Sequence, residues 1–412
     1  MAQPDLIPAE HHTEEPDWLE HLDPAELVYF LLNVGDGDAQ VLVLPEVQEP
    51  GHPLQGRRQA IVVDAALRGK VPSLITALAG ASLLPTDPAA TAGAVELAPG
   101  SIALVVASHP HQDHIGALDE VLRVFGGAVA EFWDSGYFQP LPAYHRLMKQ
   151  VENQPDLLYA QPTSGFRRWI GNVMVTVLAP SIMLRNRYDT YGVNVNDASL
   201  TLKLEWPAAR VVTDDAGRRI TSPKTTSMIL GADAQTLSWS YVLADFPYLA
   251  ASSSAAAKAI KAAIGTDPLS TDVFKISHHC SKHGINLELA ERVLPSFTLI
   301  SSVGTGGSYG FPHSVAQELI REALNPSTVS GKEHPKDYEL GIFYTADHED
   351  TTPAGALGSI AIVAGKTRPR LYRLRDEPTQ MVDLHRAARW TPPPEATSPE
   401  EKDKTLPAGT HA

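Results

Sequence analysis

The stretch "VVASHPHQDHIGALDEVL" (Val105–Leu122) sets three histidines and one aspartate within six residues, directly after an apolar run. The run "IALVVAS" reads as a buried strand and "IGALDEVLRVF" as an amphipathic helix, so the polar cluster occupies a strand-to-helix turn with Asp113 near the helix N-cap. Such a turn, at the carboxyl end of a strand, is where α/β folds place reactive groups. In extended backbone His109 and His111 point to one side, about 7 Å apart along the chain. Two imidazoles so placed close on one metal ion, while Asp113 and His114, at the turn, face a neighbouring position. Imidazole nitrogen and carboxylate oxygen suit Zn²⁺, one ion or two, with Mn²⁺ or Fe²⁺ also compatible. The bland alternative, a solvated His-rich loop, does not explain the strand and helix that bracket the cluster.

Outward from this turn, the chain alternates between period-2 and helix-period blocks. "LVYFLLNV", "AQVLVLP", "QAIVVDA", "VMVTVLAP", "SLTLKLEW", "SMILGAD", "DVFKIS" and "FTLISSV" read as strands, followed by "GIFYTA", "GSIAIVAG" and "RLYRL". "YHRLMKQVE", "TLSWSYVLADF", "NLELAERVL" and "VAQELIREAL" read as helices. Strands come first in pairs and later alternate with helices. That order predicts an α/β domain over residues 25–376, two mixed sheets packed face to face with helices outside. Insertions interrupt it near 81–100, 207–226, 249–271 and 325–337. The second reads as a long β-hairpin and the third as containing a helix. Residues 1–24 form an acidic lead-in, and 377–412 a C-terminal extension expected to be disordered from about 391.

With 412 residues, 43% of them hydrophobic, the chain can bury one large core. No apolar run approaches the roughly 20 residues that span a bilayer, so no membrane partner is expected. The acidic N-terminus lacks the apolar stretch of a secretory signal, and the single cysteine, Cys280, fits a reducing cytoplasm. A formal net charge of −15 repels polyanions, so stable binding of duplex DNA is not expected. The basic pieces "GFRRW" and "GRRI" read as ordinary surface. Protein partners are not indicated.

At the His-rich loop the chain resembles the metallo-β-lactamase fold superfamily, whose hallmark is H-x-H-x-D-H. Within it, the sequence is most similar to the hydrolase domain of ComEC-type competence proteins and their stand-alone soluble relatives. "LNVGDGDAQVLVLP" (Leu32–Pro45) resembles the opening "DVGQGDA" pair, "AIVVDAA" (Ala60–Ala66) the "ILIDAG" strand, and "NDASLTLKLEW" (Asn196–Trp206) the pattern "NNxSLVLRLEY". "ILGADAQ" (Ile229–Gln235) resembles "LLTGDAE", "FKISHHCSKHG" (Phe274–Gly284) "LKVSHHGS", and "LISSVGTGGSYGFPHS" (Leu299–Ser314) "IISVGxxNxYGHP". These pieces keep the family's order from about residue 27 to 375.

The resemblance implies a four-layer αββα sandwich with metals at one edge of the sheets. It implies that Asp233 bridges two metals and that Asp64 orients the His loop from behind. Asp233 also stands at a strand-to-helix edge by itself, where the plain reading is a helix-capping Asp; its two oxygens can span the roughly 3.5–4 Å between paired metals. His278 and His279 follow the apolar "DVFKI", and one of them should face the site, as a metal ligand or as a proton donor to the leaving oxygen. Three departures stand out. Asn196 and Asp197 occupy a place where many superfamily members carry a histidine and the ComEC-type pattern carries Asn, with Asp197 or a water as the substitute ligand. Phe311 replaces the His of "YGHP", which leaves either His313, two residues on, as a replacement or that corner vacant. Cys280 replaces the glycine of "HHGS".

The expectation is a metal-dependent hydrolase in which metals bring a bound water's pKa toward neutrality. Asp113 or Asp233 would steer that water, and His278 or His279 would assist the leaving group. A phosphodiester in single-stranded nucleic acid or a nucleotide is the leading substrate class. A small lactone, thioester or amide is the second, and a non-catalytic metal-binding or regulatory role, suggested by Asn196 and Phe311, the third.

Overall fold

Val28 and Phe30 face one apolar core, while Leu27, Tyr29 and Leu31 of the same strand face another. Val105 likewise turns away from Leu104 and Val106, and Val41 and Val43 from Leu42. A strand buried on both faces lies in a covered sheet, and these residues belong to an inner layer. A computed structural model describes residues 11–88, 96–188, 193–213, 219–248, 267–302, 309–326, 335–345, 357–365 and 368–392, with backbone alone over 207–224.

Among these residues the first sheet has ten strands: β1 (His12–Glu14), β2 (Leu27–Leu31), β3 (Ala39–Val43), β4 (Ala60–Ala65), β5 (Ile102–Ala107), β6 (Glu131–Asp134), β7 (Leu158–Ala160), and the late β15 (Ile360–Ala364), β16 (Arg370–Leu374) and β17 (Ala387–Trp390). Their order is β1-β17-β16-β15-β2-β3-β4-β5-β6-β7. The second sheet holds β8 (Arg167–Ile170), β9 (Val173–Ala179), β10 (Thr201–Thr213), β11 (Arg219–Leu230), β12 (Val273–Lys275), β13 (Phe297–Ile300) and β14 (Ile342–Tyr344), in reverse order across the sheet. Both sheets are mixed. β4, β5, β6 and β7 run parallel, as do β11 to β14, and the remaining neighbours pair antiparallel.

Val175, Val177, Met228, Leu230, Val273 and Leu299 meet the inner face of the first sheet. Ile229, Phe274 and Ile300, their sequence neighbours, face outward. Helices cover both outer faces. On the first sheet lie α1 (Lys70–Gly80), α3 (Leu118–Phe125) and α4 (Pro142–Glu152), through Leu74, Leu78, Val121, Phe125 and Leu147. On the second lie α6 (Thr236–Asp245), α7 (Leu287–Val293) and α8 (Ser314–Leu324), through Trp239, Leu289, Val293 and Ile320. The short α2 (Gln112–Ile115) and α5 (Ile182–Arg185) sit in loops. This is the expected α/β sandwich of four layers, αββα.

Several expectations are corrected. The lead-in is built into the sheet: β1 pairs with β17, Trp18 is 3% exposed, its ring lies 4.5 Å from Tyr372, and its Nε1 donates to Leu384 O at 2.9 Å. For the same reason the domain runs past 376 to include β17. The helix expected after His114 breaks at Gly116–Ala117 into α2 and α3. α1 and the strands β6, β7 and β8 were not anticipated; α1 contains Pro72 and ends in the Gly-bearing "ALAG", and "EFWD" is too short to show a period. The hairpin at 207–226 is present, paired from Leu202 opposite Leu230 out to Thr213 opposite Arg219. Most of the helix expected in 249–271, the 325–337 insertion and the tail lie outside the described residues. No helix among the described residues is long and apolar enough to cross a membrane.

Candidate metal centre

The His loop leaves the end of β5, and its backbone conformation follows from the turn it must make. His111 is extended and serves as N-cap of α2, a single turn that presents Asp113 and His114 together. Gly116 lets the chain leave this turn: a Cβ there would lie 2.4 Å from Gln112 O and 2.8 Å from Ala66 O. Asp233 follows β11 and His278–Cys280 follow β12, parallel neighbours in the second sheet, so side chains from the carboxyl ends of strands in both sheets gather at one edge. His278, His279 and Cys280 all adopt left-handed backbone, with φ of 50°, 52° and 64°. That conformation favours glycine, which accounts for the glycine the resembling pattern carries where this chain has Cys280.

Two donor groups form. His109, His111 and Asp233 make one, and Asp113, His114, Asp233 and His279 the other, each with its ligand atoms within 4.8 Å of one another. Asp233 belongs to both, through different oxygens. Its Oδ2 lies 3.7 Å from His109 Nε2, and its Oδ1 lies 3.2 Å from His114 Nε2 and 3.6 Å from His279 Nε2. Asp113 Oδ2 lies 3.8 Å from His114 Nε2 and 3.7 Å from His279 Nε2.

The fit to a divalent cation rests on which atoms are left over. His114 Nε2, His279 Nε2 and Asp233 Oδ1 are buried and have no hydrogen-bond partner. Orphaned buried polar atoms are costly and demand an explanation. The Nδ1 atoms of both rings are satisfied. Asp64, held in left-handed backbone, lies with Oδ2 2.8 Å from His114 Nδ1. The same carboxylate accepts from Ser108 N at 2.8 Å and Ser108 Oγ at 2.6 Å. His279 Nδ1 lies 2.9 Å from Ser301 O and donates to it. In both rings the Nδ1 proton is taken, which leaves the Nε2 lone pair aimed into the cluster.

Charges in the cluster shift one another strongly. Burial works against ionisation of Asp233, but His114 and His279 outweigh it and hold its carboxyl well below the ordinary range. Asp113 is lowered in the same way, against burial, by His279 and His114. Burial pushes His109 well below its usual value, toward the neutral imidazole that ligates metals. His114 is opposed by burial yet held well above its usual value by Asp233 and Asp64. Any proton on it would be displaced by a cation, so metal affinity should fall with pH.

The other candidate residues sit differently. His278 lies at the mouth, its side chain 16% exposed and its Nε2 3.8 Å from Asp233 Oδ2, outside both donor groups. Gln235 Nε2 donates to its Nδ1 at 3.0 Å, and the Asn196 amide nitrogen lies 3.4 Å from its Nε2. Thus His279, rather than His278, joins the donors. Asp197 is turned away: its Oδ1 accepts from Ser238 N at 3.0 Å, in the first turn of α6. His313 does not replace the missing histidine. It is the N-cap of α8, its Nδ1 accepting from Val315 N at 3.2 Å. Phe311 instead packs its ring against His278 and His279, at 5.2 and 5.6 Å. Cys280 is fully buried in the outer core and enters no donor group.

A third trio, Asp38, Asp64 and His114, is close enough to ligate, but its carboxylates are already taken. Asp38 accepts from Lys275 Nζ and, at 2.5 Å, from Ser301 Oγ. Sequence reasoning passed over Asp38, Lys275, Ser108 and Ser301. The only signal was their place at strand ends beside the quoted motifs.

Fold and donor set together define an αββα domain with a buried His/Asp cluster that fits a metal site. Residues 54–164, which carry the His loop, match the model of the Metallo-beta-lactamase superfamily. No curated protein matches the chain. Among solved structures, it is similar to the Rm3 metallo-beta-lactamase, at 16% identity and TM-score 0.27 over 64% of this chain and 79% of that one. It is similar also to the metallo-beta-lactamase fold protein YhfI from Bacillus subtilis, at 10% identity and TM-score 0.30 over 67% and 85%. A diphosphatase of the PhnP family is matched at 12% identity and TM-score 0.29 over 77% and 94%.

Proposed function

We propose that the protein is a metal-dependent hydrolase that cleaves phosphodiesters in single-stranded nucleic acid or nucleotides. The observation that carries the hydrolase reading is the convergence of three unpartnered buried atoms, His114 Nε2, His279 Nε2 and Asp233 Oδ1, beside the solvent-facing Asp113. His109, His111 and Asp233 would hold one divalent cation and Asp113, His114, Asp233 and His279 a second. Such ions supply a nucleophilic water near neutral pH and polarise the oxygen of the bond to be broken.

The chain's own residues supply the rest. Asp64 and Ser301 fix the tautomers of His114 and His279. Asp113, 42% exposed at its side chain, is the acidic donor that meets solvent and can orient an incoming water. At the mouth, Gln235 Nε2 lies 3.0 Å from His278 Nδ1 and Asn196 Nδ2 lies 3.4 Å from its Nε2, so two side-chain amides hold this ring beside the cluster. The ring is placed to assist the departing oxygen, and the amides beside it add neutral donors. Neutral donors at the mouth and a net charge of −15 favour a small or single-stranded phosphate ester over a long duplex.

The test is hydrolysis of bis(p-nitrophenyl) phosphate, single-stranded DNA and RNA, with Zn²⁺ or Mn²⁺, against a lactone and a thioester. Turnover of the phosphodiesters, lowered at least a hundredfold by His111→Ala, supports the proposal. Turnover of the acyl substrates alone moves the activity to carbonyl chemistry, and no turnover of any of them overturns the catalytic reading.

A further inference from the structure

Beneath the donors lies an ion pair that the chemistry above does not use. Lys275, the last residue of β12, and Asp38, from the loop between β2 and β3, are both fully buried. Lys275 Nζ donates to Asp38 Oδ2. Gln40 Nε2 lies 3.4 Å from that oxygen, and Tyr29 OH donates to Gln40 Oε1 at 2.7 Å. No solvent reaches the pair, so it cannot touch a substrate. A buried ion pair is also a poor source of stability, because desolvation offsets most of its attraction. What it does supply is a fixed position for the groups it touches.

Those groups are the two halves of the metal cluster. The His loop belongs to the first sheet, and Asp233 and His279 to the second. Asp38 is tied to both. On the first side, its backbone N donates to Asp113 O at 3.0 Å, and its Oδ2 lies 4.0 Å from His114 Nδ1. On the second, besides Lys275, its Oδ1 accepts from Ser301 Oγ at 2.5 Å. Ser301 Oγ in turn lies 3.0 Å from His279 Nδ1, whose proton goes to Ser301 O. Gly37 allows this approach: a Cβ there would sit 2.7 Å from Asp113 O.

We infer that Asp38, Lys275 and Ser301 form a positioning unit that bridges the sheets and sets His279 against Asp113 and His114 for a divalent cation. This rests on the metal-centre reading above. The unit acts on the Asp113/His114/Asp233/His279 group and leaves His109 and His111, to which none of its contacts extend, unaffected. Its loss should therefore weaken one metal position and spare the other.

The experiment compares Zn²⁺ binding to the full-length wild type, Ser301→Ala, Ser301→Thr and the charge-free pair Asp38→Asn/Lys275→Met. Equivalents and affinities are read by competition with a chromophoric chelator, and metal-free melting by circular dichroism. The expected result is two equivalents in the wild type. In Ser301→Ala and the double variant one equivalent should bind about 10- to 100-fold more weakly, as for other residues that orient ligands, and the other as before. Ser301→Thr, which keeps the hydroxyl, should restore binding. Should the double variant melt far below the wild type, the Ser301 pair decides alone. Wild-type affinity at both positions in Ser301→Ala overturns the inference. A wild type that binds no zinc overturns the metal centre itself, and does so before any variant is compared.

Discussion

Each buried histidine of the cluster divides its two nitrogens between a protein acceptor and the donor set. His279 and His278 show the contrast most sharply, being neighbours in sequence with opposite assignments. The left-handed backbone at both residues turns one ring inward onto Ser301 and the other outward onto Gln235. Substituting His279 by Ala should lower Zn²⁺ affinity at least tenfold, and His278→Ala much less, in the same chelator competition. An equal loss in the two variants would contradict this division. Cys280 gives a second expectation at this scale. Burial pushes its thiol well above the ordinary range, so the folded protein should not react with a thiol reagent at pH 8, whereas urea-unfolded protein should react fully. From the sequence, the His loop was legible because four ligand-type side chains at fixed offsets need no tertiary information. Which of His278 and His279 turns inward was not, since it hangs on backbone dihedrals. Asp38 and Lys275 were not legible either, because a polar residue at a strand end looks the same whether it faces water or a partner across two sheets.

At the level of elements, the strands that deliver the ligands were the plainest to read. β4, β5, β12 and the end of β11, Met228–Leu230, are short, largely apolar stretches ahead of turns, and both their faces are buried. Of the elements that were missed, β6 and the edge pair β1 and β17 are short, whereas α1 keeps the helical period at Val71, Leu74, Ile75 and Leu78 and was masked by Pro72. Trp18 makes the place of the first residues measurable. Its ring fills a space between Phe30 and Tyr372, and Trp18→Ala should cost about 3–5 kcal/mol in denaturant unfolding. A change below 1 kcal/mol would mean that the first residues are not part of the domain. Gly37→Ala tests the contact between the β2–β3 loop and the His loop. The added methyl collides with backbone at Asp113 O, and the forced shift should cost about 1–3 kcal/mol and weaken Zn²⁺ binding with it.

Over the whole molecule, the two sheets and their three cores could stand without metal, but the carboxylates and imidazoles gathered at one edge repel or orphan one another there. Filling the site should therefore stabilise the fold. Zinc at a hundred times its dissociation constant contributes about 2.7 kcal/mol, and removing it with a chelator should lower the melting temperature by several degrees, reversibly. The αββα arrangement itself was legible from the order of strand and helix blocks together with the resemblance; the domain's limits were not, since the strand that closes the sheet at 387–390 follows a stretch without periodicity. The most direct test of the central claim is an anomalous-difference map from crystals grown with Zn²⁺. The account predicts density among His109, His111 and Asp233 and among Asp113, His114, Asp233 and His279. A map with no peak in contact with these side chains would contradict it.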